Sequence, residues 1–180
     1  MSTAIFACPV FSPAAIQMIE AALSLPGVRL GGIAQQPPEA LPPTLAARLA
    51  GHWRVNDVTD VQQLADAVRA LRARLGGLDR IFGAFEQLQV PLAEVRAIEG
   101  LPGLTPDAAR RFRDKALMKE TLRAAGVPVA RHALVSAPDD AWRFVREVGY
   151  PVVAKPPAGA GARNTERLVD DPAVARWLEE

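Results

Sequence analysis

The sequence predicts an α/β fold in which a doubly wound parallel sheet is followed by linking helices and a smaller, incomplete third part. Short apolar segments alternate with amphipathic segments along the first half of the chain, and prolines and glycines separate them. Alternation of this kind is typical of a parallel sheet with helices on both faces. A hydrophobic content of 49% over 180 residues is ample for a packed core and argues against disorder.

The first elements lie within residues 4–34. Residues 4–7 predict a buried strand, and Ser12 and Pro13 supply an N-cap and a first-turn proline for the helix that follows. This helix ends at Pro26, and residues 28–34 predict a second strand.

The next segments complete the first domain. Residues 35–43 are rich in proline and predict a loop, which leads to a weak helix at residues 44–50. Apolar residues at helical spacing predict a longer helix over residues 61–75. A strand at residues 78–85 and a helix at residues 91–98 follow.

Glycines and prolines concentrate at residues 100–105 and predict a domain boundary. Residues 105–107 then open a helix with a cap, a first-turn proline and an early acid, and Asp114 restarts it. The predicted division is a first domain at 1–104, linking helices at 105–131 and a third part at 132–180.

The third part mixes helices with short strands. Its predicted elements are a strand at 133–135, a helix at 138–147, a strand at 151–155, a return strand at 167–169 and a final helix from about residue 172.

Composition excludes several classes of function. The net charge of +1 provides no basic field of the kind that nucleic-acid binding usually needs. Cys8 is the only cysteine, which excludes an internal disulfide and a cysteine-based zinc site. No apolar run approaches the length of about eighteen residues that suggests a membrane span. The chain is therefore expected to be soluble and cytoplasmic, with no nucleic-acid or membrane partner.

Lysine is scarce in this chain and confined to one stretch. The sequence has eighteen arginines but three lysines, all of which lie between Lys115 and Lys155. A lysine ammonium is a compact point charge, whereas an arginine guanidinium is a wide planar fork. Phosphate oxygens packed close to backbone amides often suit the point charge better.

Lys155 stands between an apolar strand and a loop of small residues. Gly159 and Gly161 would let backbone N–H groups approach an anion, and Ala160 and Ala162 keep the side chains there short. This order of strand, lysine and loop points to a nucleoside triphosphate. The alternative is an ordinary turn that carries an exposed lysine, because short glycine motifs are weak signals on their own.

Lys115 is the second candidate, since it follows Asp114 at the start of a predicted helix. An exposed helix lysine is the alternative interpretation. Lys119 lies one turn further on and is interpreted as a surface residue, so its replacement is expected to have little effect on function. The cluster of Arg110, Arg111 and Arg113 is interpreted as a solvated helix face.

Other nucleotide-binding motifs are absent from the sequence. No glycine-x4-glycine-lysine-serine/threonine string exists, and no glycine-x-glycine-x-x-glycine follows the first strand. Residues 8–12 would instead block close approach to a pyrophosphate, which disfavours dinucleotide binding by the first domain.

An ordered series of segments resembles the front half of an ATP-grasp enzyme, as in the relatives of carbamoyl-phosphate synthase, biotin carboxylase and D-alanine ligase. The resemblance covers residues 100–169. The segments are Arg113-Asp114-Lys115, Ala125-Gly126-Val127-Pro128-Val129, Gly149-Tyr150-Pro151-Val152-Val153-Ala154-Lys155-Pro156 and Gly159-Ala160-Gly161. The preceding α/β segment resembles the domain that these proteins place before the grasp, and residues 132–180 then correspond to an incomplete lid subdomain.

The resemblance implies that Lys115 and Lys155 contact the phosphates of ATP, with the loop at residues 159–162 closing over them. ATP and Mg²⁺ would convert a small carboxylate into an acyl-phosphate, which an amine or similar substrate attacks. The resemblance places the adenine-binding hinge and the metal ligands beyond Glu180, so we expect no metal ligand in this chain and no activity from this chain alone. The loop is less rich in glycine than that of biotin carboxylase.

Glu86 follows the predicted strand at residues 78–85 and is a weaker candidate for the acceptor-substrate side, with a solvated glutamate as the alternative.

Two alternatives to the enzyme remain open at this point: a non-catalytic module that binds nucleotide or protein, and a degenerate relative with a scaffolding role. A homodimer is also left open.

Overall fold

The computed structural model describes residues 2–159, 161 and 164–179. Its contacts divide the chain into two compact units, Met1–Ala109 and Arg110–Glu180. We call them the first unit and the second unit. The division predicted from the sequence, at residues 104 and 131, stays a prediction.

The first unit contains a four-stranded parallel sheet. Its strands are β1 (Ser2–Cys8), β2 (Val28–Ala34), β3 (Gly51–Arg54) and β4 (Arg80–Phe82). Their spatial order is β3-β2-β1-β4, and every neighbouring pair is parallel. The register pairs Ile5 with Gly31 on one side of β1 and with Ile81 on the other, so β1 lies in the middle of the sheet.

Helices alternate with these strands along the chain. They are α1 (Pro13–Ser24), α2 (Pro43–Ala46), α3 (Val61–Leu75), α4 (Gln89–Glu99) and α5 (Pro106–Arg113), with 3₁₀ turns at Pro38–Ala40 and Glu86–Leu88. The last of these helices, α5, crosses the division between the two units.

The core of the first unit lies on both faces of the sheet, because successive side chains of a strand point to opposite faces. Ile5 and Ala7 join one buried cluster, which includes the apolar faces of α3 and α4. Phe6 and Cys8 join a second cluster, which includes residues of α1. Helices therefore cover the sheet on two sides, and the predicted doubly wound α/β fold is confirmed.

The second unit is built around a two-stranded antiparallel sheet. It contains α6 (Lys115–Ala124), α7 (Pro138–Val148), β5 (Val152–Ala154), β6 (Glu166–Leu168) and α8 (Asp171–Glu179). Strand β5 pairs with β6 so that Val152 lies opposite Leu168. A small buried cluster joins α7, β6 and α8. No helix in the described ranges is long and apolar enough to cross a membrane.

Local signals placed several elements correctly. Helix α3 spans the residues predicted for it, because the Asp60 carboxylate accepts hydrogen bonds from the N–H groups of Gln62 and Gln63 and Gly76 ends the helix at a φ of 71°. Ser12 caps α1 in the same way, accepting from the N–H of Ala15.

The strands differ from the prediction in three places. Strand β3 was not predicted, since Gly51-His52-Trp53-Arg54 contains no apolar run, and it forms the edge of the sheet. Residues 133–135 form no strand and are exposed, although they are apolar enough to suggest one. Strand β4 is also shorter than the predicted strand at residues 78–85.

Replacing Gly83 by alanine is expected to lower the free energy of unfolding of the protein. The added methyl would lie 2.7 Å from the Ala7 carbonyl oxygen and 3.0 Å from Leu92 Cδ1. The Ala7 carbonyl belongs to the central strand and cannot move freely, so overpacking should cost about 1–3 kcal/mol. Gly32→Ala is the matched control, because its methyl would meet its neighbours at 3.4 Å. Equal losses in urea denaturation would contradict this steric explanation.

Candidate functional site

Helix α6 begins at the residue that the sequence singled out. Asp114 is its N-cap, and the Asp114 Oδ1 accepts hydrogen bonds from the N–H groups of Ala116 at 2.8 Å and Leu117 at 3.0 Å. Aspartate is a favoured N-cap because its carboxylate satisfies these otherwise unpaired donors. Lys115 is therefore fixed as the first helical residue of α6.

Lys115 holds the segment after Lys155 against the first turn of α6. Its backbone N–H donates to the Pro157 carbonyl at 3.0 Å. Its Nζ donates to the Gly159 carbonyl at 2.9 Å and to the Pro157 carbonyl at 3.4 Å. A lysine ammonium has three donors. The structure therefore uses two of them on the loop that the sequence predicted to bind phosphate.

Arg113 adds a contact that the sequence did not suggest. Its guanidinium donates to the Gly159 carbonyl at 3.3 Å, and its side chain is half-buried. The interpretation of this arginine as part of a solvated face is therefore wrong, because the loop at residues 157–159 packs against it.

Lys155 immediately follows β5 and is exposed. It lies two residues before Pro157, so the hydrogen bonds of Lys115 bring the two predicted lysines onto neighbouring segments of the second unit. Gly161 has a φ of 64°, in the left-handed region that favours glycine. Ala160 and Ala162 lie outside the described residues. The phosphate-binding roles of all these residues remain predictions.

Lys119 lies on the same face of α6 as Lys115, because residues four apart are neighbours on a helix. Its side chain is half-buried. Burial, followed by the positive charges of Lys155 and Arg123, lowers the pKa of Lys119. Lys119 is therefore less exposed than the sequence suggested and lies within electrostatic range of Lys155, while the effect of its replacement on function stays a prediction.

His132 extends this group of basic side chains. Its Nδ1 lies 3.1 Å from the Arg123 guanidinium. Because arginine only donates, Nδ1 is the acceptor and the neutral ring carries its proton on Nε2. Burial, together with the charges of Lys119 and Arg123, lowers the pKa of His132. We use the name basic cluster for Lys115, Lys119, Arg123, His132 and Lys155.

An open cleft of about 450 Å³ lies beside Arg123 and His132. Acidic and basic side chains both line it, among them Arg131, Asp140 and Glu147. Asp140 already accepts hydrogen bonds from the N–H groups of Ser136 and Ala137. The cleft is therefore of mixed charge, whereas the basic cluster consists of basic side chains alone.

Glu86 belongs to the first unit, where it begins a 3₁₀ turn four residues after β4. It is exposed. Its role on the acceptor-substrate side remains a prediction.

The described residues contain no group of three or more histidine, cysteine, aspartate or glutamate side chains placed to hold a metal ion. Lysines and backbone groups dominate the site instead. The described donors therefore suit the oxygens of an anion, and they do not form a set of ligands for Mg²⁺.

Part of the basic cluster could have been found from the sequence. The four-residue spacing of Lys115 and Lys119, together with the scarcity of lysine, was such a signal. The contacts of Arg113 and His132 had no comparable local signal, because each depends on packing between separate segments.

Residues 114–177 match a known protein family, described as the carbamoyl-phosphate synthase L chain, ATP binding domain. The matched segment begins at the N-cap of α6 and ends within α8. It contains every lysine of the chain.

Individual proteins agree with this match. The L-arginine-specific L-amino acid ligase of Bacillus subtilis is 30% identical over 124 residues, which cover 66% of this chain and 30% of that ligase. The biotin carboxylase domain of the 2-oxoglutarate carboxylase of Hydrogenobacter thermophilus has a TM-score of 0.75 at 20% identity, over 97% of this chain and 39% of that chain. That structure is a dimer in complex with MgADP, ADP and bicarbonate. The L-amino acid ligase of Bacillus licheniformis has a TM-score of 0.74 at 17% identity, over 99% of this chain and 42% of that chain.

Replacing Lys119 by glutamine is expected to raise the pKa of His132. The charge of Lys119 is one of the causes that lower the His132 pKa, so its removal makes the protonated ring less unfavourable. NMR titration of the His132 ring protons measures the change. Arg176→Gln removes the same charge from an exposed position on α8 and should leave the titration unaltered. An identical His132 pKa in the wild type and in Lys119→Gln would contradict the proximity of the two side chains.

The chain spans 30% of the length of the B. subtilis ligase and about two fifths of the solved structures, 39% and 42%. The solved structures, at or below 20% identity, establish the fold, and the family match identifies the segment that carries the lysines. Together with the B. subtilis ligase, they confirm the recognition made from the sequence. The chain therefore resembles the N-terminal portion of ATP-grasp enzymes, as its sequence predicted.

Proposed function

We propose that this chain supplies the phosphate-binding part of an ATP-dependent ATP-grasp ligase. The complete reaction would activate a carboxylate as an acyl-phosphate, which an amine or a similar nucleophile then attacks. The observation that carries the proposal is the hydrogen bonding of Lys115 to the loop that follows Lys155, within the segment that matches an ATP-binding domain.

The two lysines would act by position and charge. Lys155 is exposed at the end of a strand, so its ammonium is free to meet a phosphate oxygen. Lys115 keeps one donor beyond the two that it gives to the loop carbonyls. If the Lys115 ammonium holds the loop and a phosphate together, it would align the terminal phosphoryl group for attack. Neutralising its charge lowers the barrier further.

The remaining donors would come from the loop itself. Gly159, Ala160, Gly161 and Ala162 have no bulky side chain, so their N–H groups would be able to approach the phosphates. Mg²⁺ would neutralise charge on the phosphates when it is bound. Because the described residues offer no ligand set for it, we assign no metal ligand to this chain.

The substrate class rests on the relatives. One relative is an L-amino acid ligase, and one solved neighbour holds bicarbonate together with MgADP. Both an amino acid and bicarbonate present a carboxylate-type oxygen to a phosphoryl group. We therefore propose a small carboxylate as the activated substrate, an amine or similar acceptor and Glu86 on the acceptor side. The dimer of the solved neighbour supports a homodimer.

A non-catalytic nucleotide-binding module is the second candidate. It would hold a nucleotide through the same contacts between Lys115 and the loop that follows Lys155. The two candidates differ in whether ATP is consumed.

Oxygen transfer from the carboxylate to phosphate tests the proposal. In the full-length protein, ATP, Mg²⁺, an amine acceptor and an ¹⁸O-labelled carboxylate should yield inorganic phosphate that contains one ¹⁸O atom. The amine attacks the carbonyl carbon of the acyl-phosphate, and the phosphate leaves with one of the two carboxylate oxygens. Mass spectrometry of the phosphate measures the label, over a panel of amino acids and bicarbonate. Unlabelled phosphate would contradict acyl-phosphate formation. No ADP with any member of the panel would favour the non-catalytic module.

Lys155→Ala in the full-length protein is expected to lower kcat/KM for ATP. The loss of one charge-assisted contact should cost about 2 kcal/mol or more, which is roughly thirtyfold in rate. Steady-state kinetics with varied ATP concentration measure the effect. Arg176→Gln is the control for net charge and should stay within about twofold of the wild type, the range of exposed surface changes. Equal effects of the two substitutions would show that Lys155 does not contact the phosphates.

A further inference from the structure

One face of α6 carries a row of positive charges. Lys115, Lys119 and Arg123 follow each other at intervals of four residues, so they lie on the same side of the helix. The rise of a helix is about 1.5 Å per residue, which separates neighbouring members of the row by about 6 Å along the axis. A single polyphosphate chain is long enough to lie beside the first two of them.

Lys155 approaches this row from a second segment. The bond from the Lys115 backbone N–H to the Pro157 carbonyl, at 3.0 Å, fixes the chain just after Lys155 beside the first turn of α6. After burial, the positive charge of Lys155 is the next cause that lowers the pKa of Lys119. The ammonium groups of three lysines thus belong to one region of the second unit.

No acidic side chain in the described part of the chain forms an ion pair with Lys119 or Lys155. Lys119 is moreover half-buried, where like charges are screened less than at an exposed position. Clustered, uncompensated positive charge costs folding free energy, and a bound anion would remove that cost. The arrangement is therefore more suited to an anionic ligand than to structural stabilisation.

The positive charge is concentrated towards the start of α6. At its other end, Arg123 is hydrogen-bonded to His132, and Glu120 lies close enough to His132 to affect it electrostatically. The adjacent cleft contains Asp140 and Glu147. An anion would thus be favoured near Lys115 and Lys119 and disfavoured further along the helix.

We infer that Lys119 is a third phosphate-binding cation, which contacts a phosphate group about one helical turn away from the group held by Lys115. This inference rests on the proposed binding of a nucleotide by Lys115 and Lys155. It also adds specificity, because only a triphosphate is long enough to place one phosphate group beside Lys115 and another beside Lys119. Lys119 therefore favours a triphosphate over a diphosphate.

Titration of the 180-residue chain with inorganic tripolyphosphate and pyrophosphate, followed by NMR, tests this inference. In the wild type, the Lys119 side-chain signals should shift with tripolyphosphate and respond less to pyrophosphate. Lys119→Gln should weaken tripolyphosphate binding by about tenfold or more, the order expected for one lost charge-assisted hydrogen bond. Its effect on pyrophosphate binding should be smaller. Lys119→Arg keeps the charge and should retain most of the affinity.

Arg176→Gln is the matched control, because it removes one positive charge from an exposed site on another helix. A loss for Lys119→Gln no greater than for this control would overturn the inference. The proposed nucleotide site would survive if Lys115→Gln and Lys155→Gln still weakened binding strongly. If those two variants also matched the control, or if the wild type bound neither anion at millimolar concentration, both proposals would fail. Should Lys119→Gln disturb the amide signals of α6, the wild-type shifts and Lys119→Arg decide the outcome.

Discussion

The hydrogen bonds between Lys115 and the carbonyls of Pro157 and Gly159 are the interaction on which the rest of the site depends. They join residues that are 42 and 44 positions apart in the sequence. The helix start and the loop are each unremarkable as local structure, and only their contact places two lysines in one region. Asp114 contributes indirectly, because its cap fixes the first turn of α6 and thereby the position of the Lys115 backbone N–H. The cap of α6 by Asp114 thus also helps to fix the position of the loop at Pro157.

Glu99 in the first unit and the lysines of the second unit show two different arrangements of charge. In the first unit, the Glu99 carboxylate is 6% exposed and pairs with Arg69 at 2.9 Å and Arg72 at 3.0 Å, which ties α4 to α3. Such pairing compensates the cost of burying a charge. In the second unit, Lys119 and Lys155 reinforce each other's positive potential instead. The planar fork of arginine suits the paired carboxylate, and the compact charge of lysine suits the phosphate oxygens of the proposed ligand.

The parts of the structure that sequence reasoning predicted are those set by neighbouring residues. The apolar spacing of α3, its Asp60 cap and Gly76 together fixed both ends of that helix. Strand β3 escaped prediction because an edge strand needs little apolar sequence and obtains its order from pairing with β2. Residues 133–135 are the opposite case: their apolar side chains suggested a strand, but no strand forms because none pairs with them. The candidate site followed the same rule: local sequence signals drew attention to its lysines, whereas the contact of Arg113 with Gly159 depends on packing between distant segments.

The composition of the loop after Lys155 bears on the proposed binding of an anion. Pro156 and Pro157 each have a restricted φ. Together with the hydrogen bonds to Lys115, these restrictions remove much of the freedom that a glycine-rich loop would lose on binding. Alanines between the glycines act in the same direction. The proposed phosphate binding would therefore lose less conformational entropy in this segment than in a glycine-rich one.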